Sequence, residues 1–162
     1  MADSGLKQFF SDKVTDTSAT ALHTPGIIRF EGNDEYRYVQ IVDKAVTLGD
    51  SLCPASTADG IVTADRAGGS QLARVARGVA VGSIASGYYG WILKKGIAVI
   101  QCDGGVSSNE GVIPHVTSDG HADSCDESTV STNTAFRVFG VALTDDAGAS
   151  DGDTATAYIN CD

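Results

Sequence analysis

Apolar and polar side chains alternate in several short segments of this sequence, and glycine-rich turns separate the segments. Residues 36–42 (YRYVQIV) place Tyr36 and Tyr38 on one face and Val39 and Ile41 on the other. A period of two residues is that of a β-strand, whose successive side chains point to opposite faces of a sheet. The 19 glycines among 162 residues can supply the turns between such strands. The chain is therefore predicted to be an all-β protein.

The alternating or apolar segments give the predicted strands, and the polar stretches 54–71 and 103–134 are predicted to be mostly loops. Pro114 places its segment at a sheet edge, and Lys94-Lys95-Gly96 is predicted to turn the chain inside a three-stranded meander. Hairpins are predicted over EGNDE and over the acidic turn AGASDGD. The segments with strand character are 26–32, 36–42, 45–52, 73–84, 88–94, 97–102, 111–116, 135–146 and 154–161.

The stretch ASGYYGWILKKG (85–96) contains the only tryptophan of a chain in which 7% of residues are aromatic. Both faces of residues 88–93 carry bulky apolar groups, which is typical of a strand covered on two sides. Its rings are therefore predicted to fill a small interior instead of forming an exposed stacking platform. The candidate core aromatics are Tyr36, Tyr38, Tyr89, Trp91 and Phe139.

The length favours one domain. Residues 26–162 are predicted to form a single compact β-barrel or β-sandwich, β-tulip-like in form, and the strand order stays open. Residues 1–25 are polar apart from Leu6, Phe9 and Phe10, and they are predicted to be an extended N-terminal arm. The apolar residues of the arm indicate docking on the body or on a partner, and the alternative is a short helix packed on its own domain.

A short internal echo links two of the predicted strands. VARGVAVGSI and FRVFGVALTD both contain Gly-Val-Ala followed by an apolar residue. The echo is consistent with two equivalent strands of one barrel, but it is too short to prove a repeat.

The charge balance excludes several classes of function. With 21 acidic and 11 basic residues the net charge is −10, and the basic residues are scattered, so no nucleic-acid partner is expected.

No apolar run reaches the length of a membrane span, and the N-terminus lacks the features of a secretory signal. We therefore expect no membrane partner and synthesis in a host cytoplasm. The four cysteines form no CxxC pair and are expected to be buried or loop thiols, although their pairing stays open: Cys53, Cys102, Cys125 and Cys161.

No catalytic or metal-binding pattern is present. The three histidines lie in no nucleophile–base arrangement, and no GxSxG or catalytic-cysteine pattern occurs. A metal site from His115, His121, Cys102 and Cys125 has no recognised spacing. The acidic loop lacks the order of a calcium loop and is predicted to be a solvated turn; its members are Asp145, Asp146, Asp151 and Asp153. We expect no enzymatic activity, cofactor or metal.

The segment GVAVGSIASGYYGWILKKGIAVI, preceded by EYRYVQI and followed by FGVAL and ATAYI, resembles a pattern in capsid decoration, or cement, proteins of tailed bacteriophages. The resemblance covers about residues 26–161, and its most specific element is GYYGW. It implies a β-rich, non-enzymatic structural protein on the outer capsid surface of the virion. There it would bind the major capsid protein, bridge capsomers, and self-associate as a dimer or trimer at a local symmetry axis.

Under this interpretation the arm orders on the capsid lattice, and the candidate capsid-interface residues are Leu6, Phe9 and Phe10. Two other classes stay open. A carbohydrate-binding or host-attachment module on the virion surface requires Tyr88 or Trp91 to be exposed. A small hydrolase requires an acidic residue with an anomalous pKa in a cleft.

Overall fold

A computed structural model describes residues 10–65, 75–115, 118–125, 138–146, 148 and 152–161. These residues form ten β-strands and no helix, so the all-β prediction is confirmed. The strands are β1 (Ile28–Glu31), β2 (Asp34–Ile41), β3 (Ser51–Pro54), β4 (Ile61–Thr63), β5 (Gly78–Ala80), β6 (Tyr89–Cys102), β7 (Gly111–Pro114), β8 (Ala122–Ser124), β9 (Gly140–Ala142) and β10 (Asp153–Asn160).

The strands form closed barrels, not a sandwich. Their order is β1-β2-β4-β3-β5-β6-β10-β9-β7-β8, and two further pairings, β2–β6 and β6–β8, close it into rings. The first ring contains β2, β4, β3, β5 and the beginning of β6, and we call it the N-terminal barrel. The second ring contains the rest of β6 with β10, β9, β7 and β8, and we call it the C-terminal barrel. Closure leaves these strands few free edges.

The long strand β6 belongs to both barrels, and this corrects the prediction that KKG turns the chain. Its 14 residues run without a turn from Tyr89 to Cys102. The register against β2 shifts at this point, because Tyr36 pairs with Leu93 while Glu35 pairs with Lys95. The skipped residue, Lys94, makes a bulge that bends the strand. Gly96 follows with φ of 137°, a value that favours glycine, so KKG bends one strand and does not separate two.

The two barrels repeat the same order of strands. In the first, the N–H of Gly49 donates to the carbonyl of Ala80 at 2.9 Å, and in the second the N–H of Asn109 donates to the carbonyl of Ala142 at 2.8 Å. Each barrel also contains one parallel pairing, which is β2–β4 in the first and β6–β8 in the second. The Gly-Val-Ala echo therefore marks equivalent strands, β5 and β9. They lie in two barrels, however, and not in one as predicted.

Each barrel has its own buried interior. Val39 and Ile92 belong to a cluster inside the N-terminal barrel. Ile100 and Ile159 belong to a second cluster, inside the C-terminal barrel, which also includes Leu93. Since Leu93 follows Ile92 in the strand, it lies on the outer side of the N-terminal barrel. The second cluster therefore also joins the two barrels.

Other local predictions differ from the structure in extent. β7 lies between β8 and β9, so Pro114 does not mark an edge strand; it is the last residue of β7, beyond Gly111 and Val112, which pair with β9. The predicted strand 45–52 is reduced to a single bridge between Val46 and Ile84 before β3 begins at Ser51.

Candidate docking face

The aromatic side chains of β2 and β6 lie on the outer face of the N-terminal barrel. Tyr38 and Trp91 are buried, with ring centroids 5.1 Å apart, and Tyr89 stacks on Tyr38 while half-buried. Tyr36 is half-buried and packs against the cluster that joins the barrels. Trp91 is fully covered and offers no stacking platform to a sugar, whereas Tyr88, the other residue named for a carbohydrate-binding module, is 41% exposed.

Residues 10–25 cover this aromatic face, so the described part of the predicted arm lies on the barrel and is not extended away from it. The ring of Phe10 meets Trp91 edge to face at 5.0 Å and His23 at 5.1 Å. Ser18 forms a bridge with Tyr89. Phe10, a predicted capsid-interface residue, therefore contacts its own barrel in this structure, whereas Leu6 and Phe9 lie outside the described residues.

Asp12 holds the covering segment in place. Its Oδ2 accepts a hydrogen bond from Trp91 Nε1 at 2.6 Å, and its Oδ1 is hydrogen-bonded to His23 Nε2 at 2.8 Å. Arg29 donates from Nη1 to the backbone oxygen of Asp12 at 2.6 Å and lies over the Phe10 ring. Burial raises the pKa of Asp12, but the hydrogen bonds from Trp91 and His23 outweigh burial and leave the pKa below its ordinary value.

The register of the strands identifies a covered row of residues on the N-terminal barrel. Leu93 pairs with Tyr36 on one side and with Val79 on the other. Leu93 and Val79 are 1% and 0% exposed, because the C-terminal barrel packs against this end of the face. One sheet face is thus covered by residues 10–25 at one end and by the second barrel at the other.

The equivalent row on the C-terminal barrel is exposed, and no described residue covers it. Tyr158 occupies the position that Leu93 has in the first barrel, and it pairs with Ile97 and Val141. The exposed fractions are 41% for Tyr158, 61% for Ile97 and 42% for Val141. An apolar row that is core in one barrel is therefore surface in the other. We call this surface the docking face; it consists of Ile97, Val99, Val141, Leu143 and Tyr158, with Val138 beside it.

The docking face carries almost no charge. Its exposed positions on β6, β9 and β10 include one lysine, Lys95, and no carboxylate. The remaining exposed positions on β10 are threonine and asparagine, at Thr154 and Asn160. In a chain of net charge −10 this surface avoids the repulsion that an acidic surface would exert on an acidic partner. Apolar, uncharged surface of this kind is typical of protein–protein contact.

The histidines and acidic residues considered from the sequence have structural contacts. His115 Nε2 lies 2.8 Å from Asp103 Oδ2, and the carboxylate of Asp145 accepts the N–H of Ser108 at 2.7 Å. Asp146 similarly accepts the N–H of Val106, at 3.2 Å. Within the described ranges, no group of three or more His, Cys, Asp or Glu side chains is placed to hold a metal ion. Those ranges also contain no helix with the length and apolarity needed to span a membrane.

A scan of the chain against protein-family models finds no match, and a search of curated proteins finds none either. Among solved structures, the chain is similar to the head fiber gp8.5 N base of bacteriophage phi29. The two share 17% sequence identity with a TM-score of 0.49, and the alignment covers 76% of this chain and 92% of that chain. This is a likeness of fold, and no residue role is transferred from it.

Proposed function

We propose that this chain is a structural protein of a tailed-bacteriophage head that decorates the outer capsid surface. In this proposal it binds the major capsid protein and bridges capsomers, and it has no catalytic role. The sequence resemblance carried by GYYGW and its flanking strands supports the class of protein. The single structural observation that supports docking as its activity is the exposed apolar face of the C-terminal barrel, which carries almost no charge.

The size of the docking face suits a repetitive partner. Three strands spaced about 4.8 Å apart, taken over about six residues, present on the order of 300 Å². A standard stable interface buries about 800 Å² on each partner. A single contact of this size is weak, but many copies on one lattice, or a dimer or trimer of this chain, gain avidity. Self-association is part of the proposal for this reason.

The direct test is co-sedimentation of the purified protein with undecorated heads, comparing wild type with Tyr158→Asp. A carboxylate in the middle of an apolar contact is expected to weaken binding about tenfold or more. Tyr88→Asp is the matched control, since Tyr88 and Tyr158 are both 41% exposed and only Tyr158 lies on the docking face. Saturable binding lost only in Tyr158→Asp supports the proposal. Absence of wild-type binding to intact heads, with the protein folded, overturns it.

The predicted role of Leu6 and Phe9 as capsid anchors is tested separately by deleting residues 1–9. This deletion retains Phe10 and Asp12, whose contacts with Trp91 belong to the fold. Loss of head binding with an unchanged unfolding curve supports an anchoring role for the deleted residues. Wild-type occupancy of the truncated protein would place the whole contact on the folded body.

A further inference from the structure

A polar cleft lies on the N-terminal barrel, away from the docking face. It has a volume of about 510 Å³ and is bounded by residues 54–62, which connect β3 to β4, by β2 and by the residue before β5. Two arginines line it, Arg37 and Arg77, together with the hydroxyls of Ser56 and Thr57. Pro54, Ala58, Ile61 and Val62 provide apolar lining. This combination of size, donors and apolar wall is that of a small-molecule site.

The C-terminal barrel provides an internal comparison at the position of Arg77. The N–H of Arg77 donates to Leu52 O at 2.6 Å, and in the second barrel the N–H of Phe139 donates to Val112 O at 2.9 Å. Arg77 and Phe139 therefore occupy equivalent backbone positions, immediately before β5 and β9. Phe139 is 2% exposed and belongs to the core of its barrel, whereas Arg77 lines an open cleft.

The second arginine differs between the barrels in the same way. Arg37 lies beside Ile92 in the β2–β6 pairing, and Ala98 lies beside Ala157 in the β6–β10 pairing. Ala98 packs against the buried cluster of its barrel. At both positions one barrel has an apolar, packed side chain and the other has a guanidinium directed to a cleft. A purely structural role does not require arginine at either position, because the second barrel closes without it.

The cleft has more hydrogen-bond donors than its own acceptors satisfy. Arg37 Nη1 pairs with Asp59 Oδ1 at 3.1 Å. The guanidinium of Arg77 forms no hydrogen bond or ion pair with any residue of the described ranges. Ser56 Oγ accepts the N–H of Ala58 at 3.1 Å, which leaves its hydroxyl proton to donate. Unsatisfied donors at a lined cleft indicate a ligand rich in acceptors.

We propose that this cleft binds a hydroxylated carboxylate about the size of one sugar ring, such as a uronic acid. Two guanidinium groups and the Asp59 carboxylate leave one positive charge, which matches a monoanion. A guanidinium binds the two oxygens of a carboxylate in parallel. Ser56 and Thr57 donate to ring hydroxyls, and Asp59 accepts from them. A phosphate dianion is a poorer match, because it would add excess negative charge to a chain that already carries −10.

The test is an NMR titration of the ¹⁵N-labelled full chain with glucuronate, glucose and inorganic phosphate as separate probes. Glucuronate is expected to bind with about millimolar affinity and to shift signals of the cleft residues. Arg77→Gln is expected to weaken glucuronate binding about tenfold or more, through loss of a charge-assisted contact. The control Lys13→Gln removes the same charge from an exposed side chain outside the cleft and should bind as wild type. Arg77→Phe, which copies the second barrel, is a second variant and should abolish binding.

The site is overturned if no probe gives saturable shifts, if glucose binds as tightly as glucuronate, or if phosphate binds more tightly. Equal glucuronate affinity in wild type and Arg77→Gln would also overturn it. The outcome is independent of the proposed capsid role, because Arg77 lies on the N-terminal barrel and the docking face on the C-terminal barrel. Arg77→Gln should therefore co-sediment with heads as wild type does, whether or not the cleft binds a sugar acid.

Discussion

Asp12→Ala tests whether residues 10–25 are part of the fold. Asp12 is a side chain of low exposure, 10%, that accepts the indole N–H of Trp91, which is itself 0% exposed. Alanine leaves that buried donor without a partner, which costs about 1–3 kcal/mol, and it also removes a charge-assisted contact with His23. Together we expect a loss of about 2–4 kcal/mol in the free energy of unfolding.

The assay is urea unfolding followed by tryptophan fluorescence. Trp91 is the only tryptophan, so its emission reports directly on the contact that is changed. In the folded variant the emission maximum should also shift to longer wavelength, because a loosened segment admits water to the indole. The urea midpoint should fall while the slope of the transition stays near that of wild type.

Asp16→Ala is the matched control. Asp16 is exposed in the same segment, and among the described residues its Oδ2 accepts one local hydrogen bond, from the N–H of Lys13 at 2.8 Å. We expect this control to lose less than about 1 kcal/mol. If Asp12→Ala and Asp16→Ala lose equal stability and leave the emission unchanged, the segment does not hold the aromatic face, and the reasoning from Asp12 is wrong.

Three further predictions concern acidification, a close-packed glycine and the cysteines. The stability difference between wild type and Asp12→Ala should shrink on acidification, which urea titrations at several pH values will show. The folded-state pKa of Asp12 is lowered, so its carboxylate contributes stability above the ordinary pKa of 3.8. That contribution is lost as the pH falls through the folded-state pKa. Gly78→Ala should lose about 1–3 kcal/mol in the same assay, because its Cβ would lie 2.7 Å from a backbone oxygen of β6, whereas Gly82→Ala, with nothing within 4 Å, should be near neutral. Burial, with smaller contributions from nearby carboxylates, raises the pKa of Cys102 to about 11. A thiol reagent at pH 8 should therefore modify the half-buried Cys125 before it modifies Cys102, as peptide mass mapping will show.

The all-β class of the fold could be predicted because it depends on the local periodicity of side chains. The alternation in residues 36–42 and 88–93 places each side chain on a defined face, and Tyr38 and Trp91 are indeed buried. The short strands β4 and β8 have three residues each and lie in stretches predicted to be mostly loop, since three residues do not establish a period.

The candidate sites were less accessible to sequence reasoning. The two-residue period puts Phe139, Val141 and Leu143 on one face of their segment, yet Phe139 is 2% exposed while the other two are 42% and 48% exposed. The Gly-Val-Ala echo was the one signal of a repeated barrel. Aligned through it, Arg77 falls opposite Phe139, so the sequence does contain a signal of the cleft: a cation stands in one copy of the echo where the other has an aromatic ring.

The strands of this chain, and the side chains that alternate across them, follow from the local sequence, because the two-residue period is a property of the local backbone. What covers each face depends on how the two barrels pack. Leu93 and Tyr158 have equivalent places in two similar sheets, but a second barrel packs beside Leu93 and no described residue covers Tyr158. Burial depends on neighbours that are distant in the chain, and therefore the docking face and the cleft appear only once the barrels are assembled.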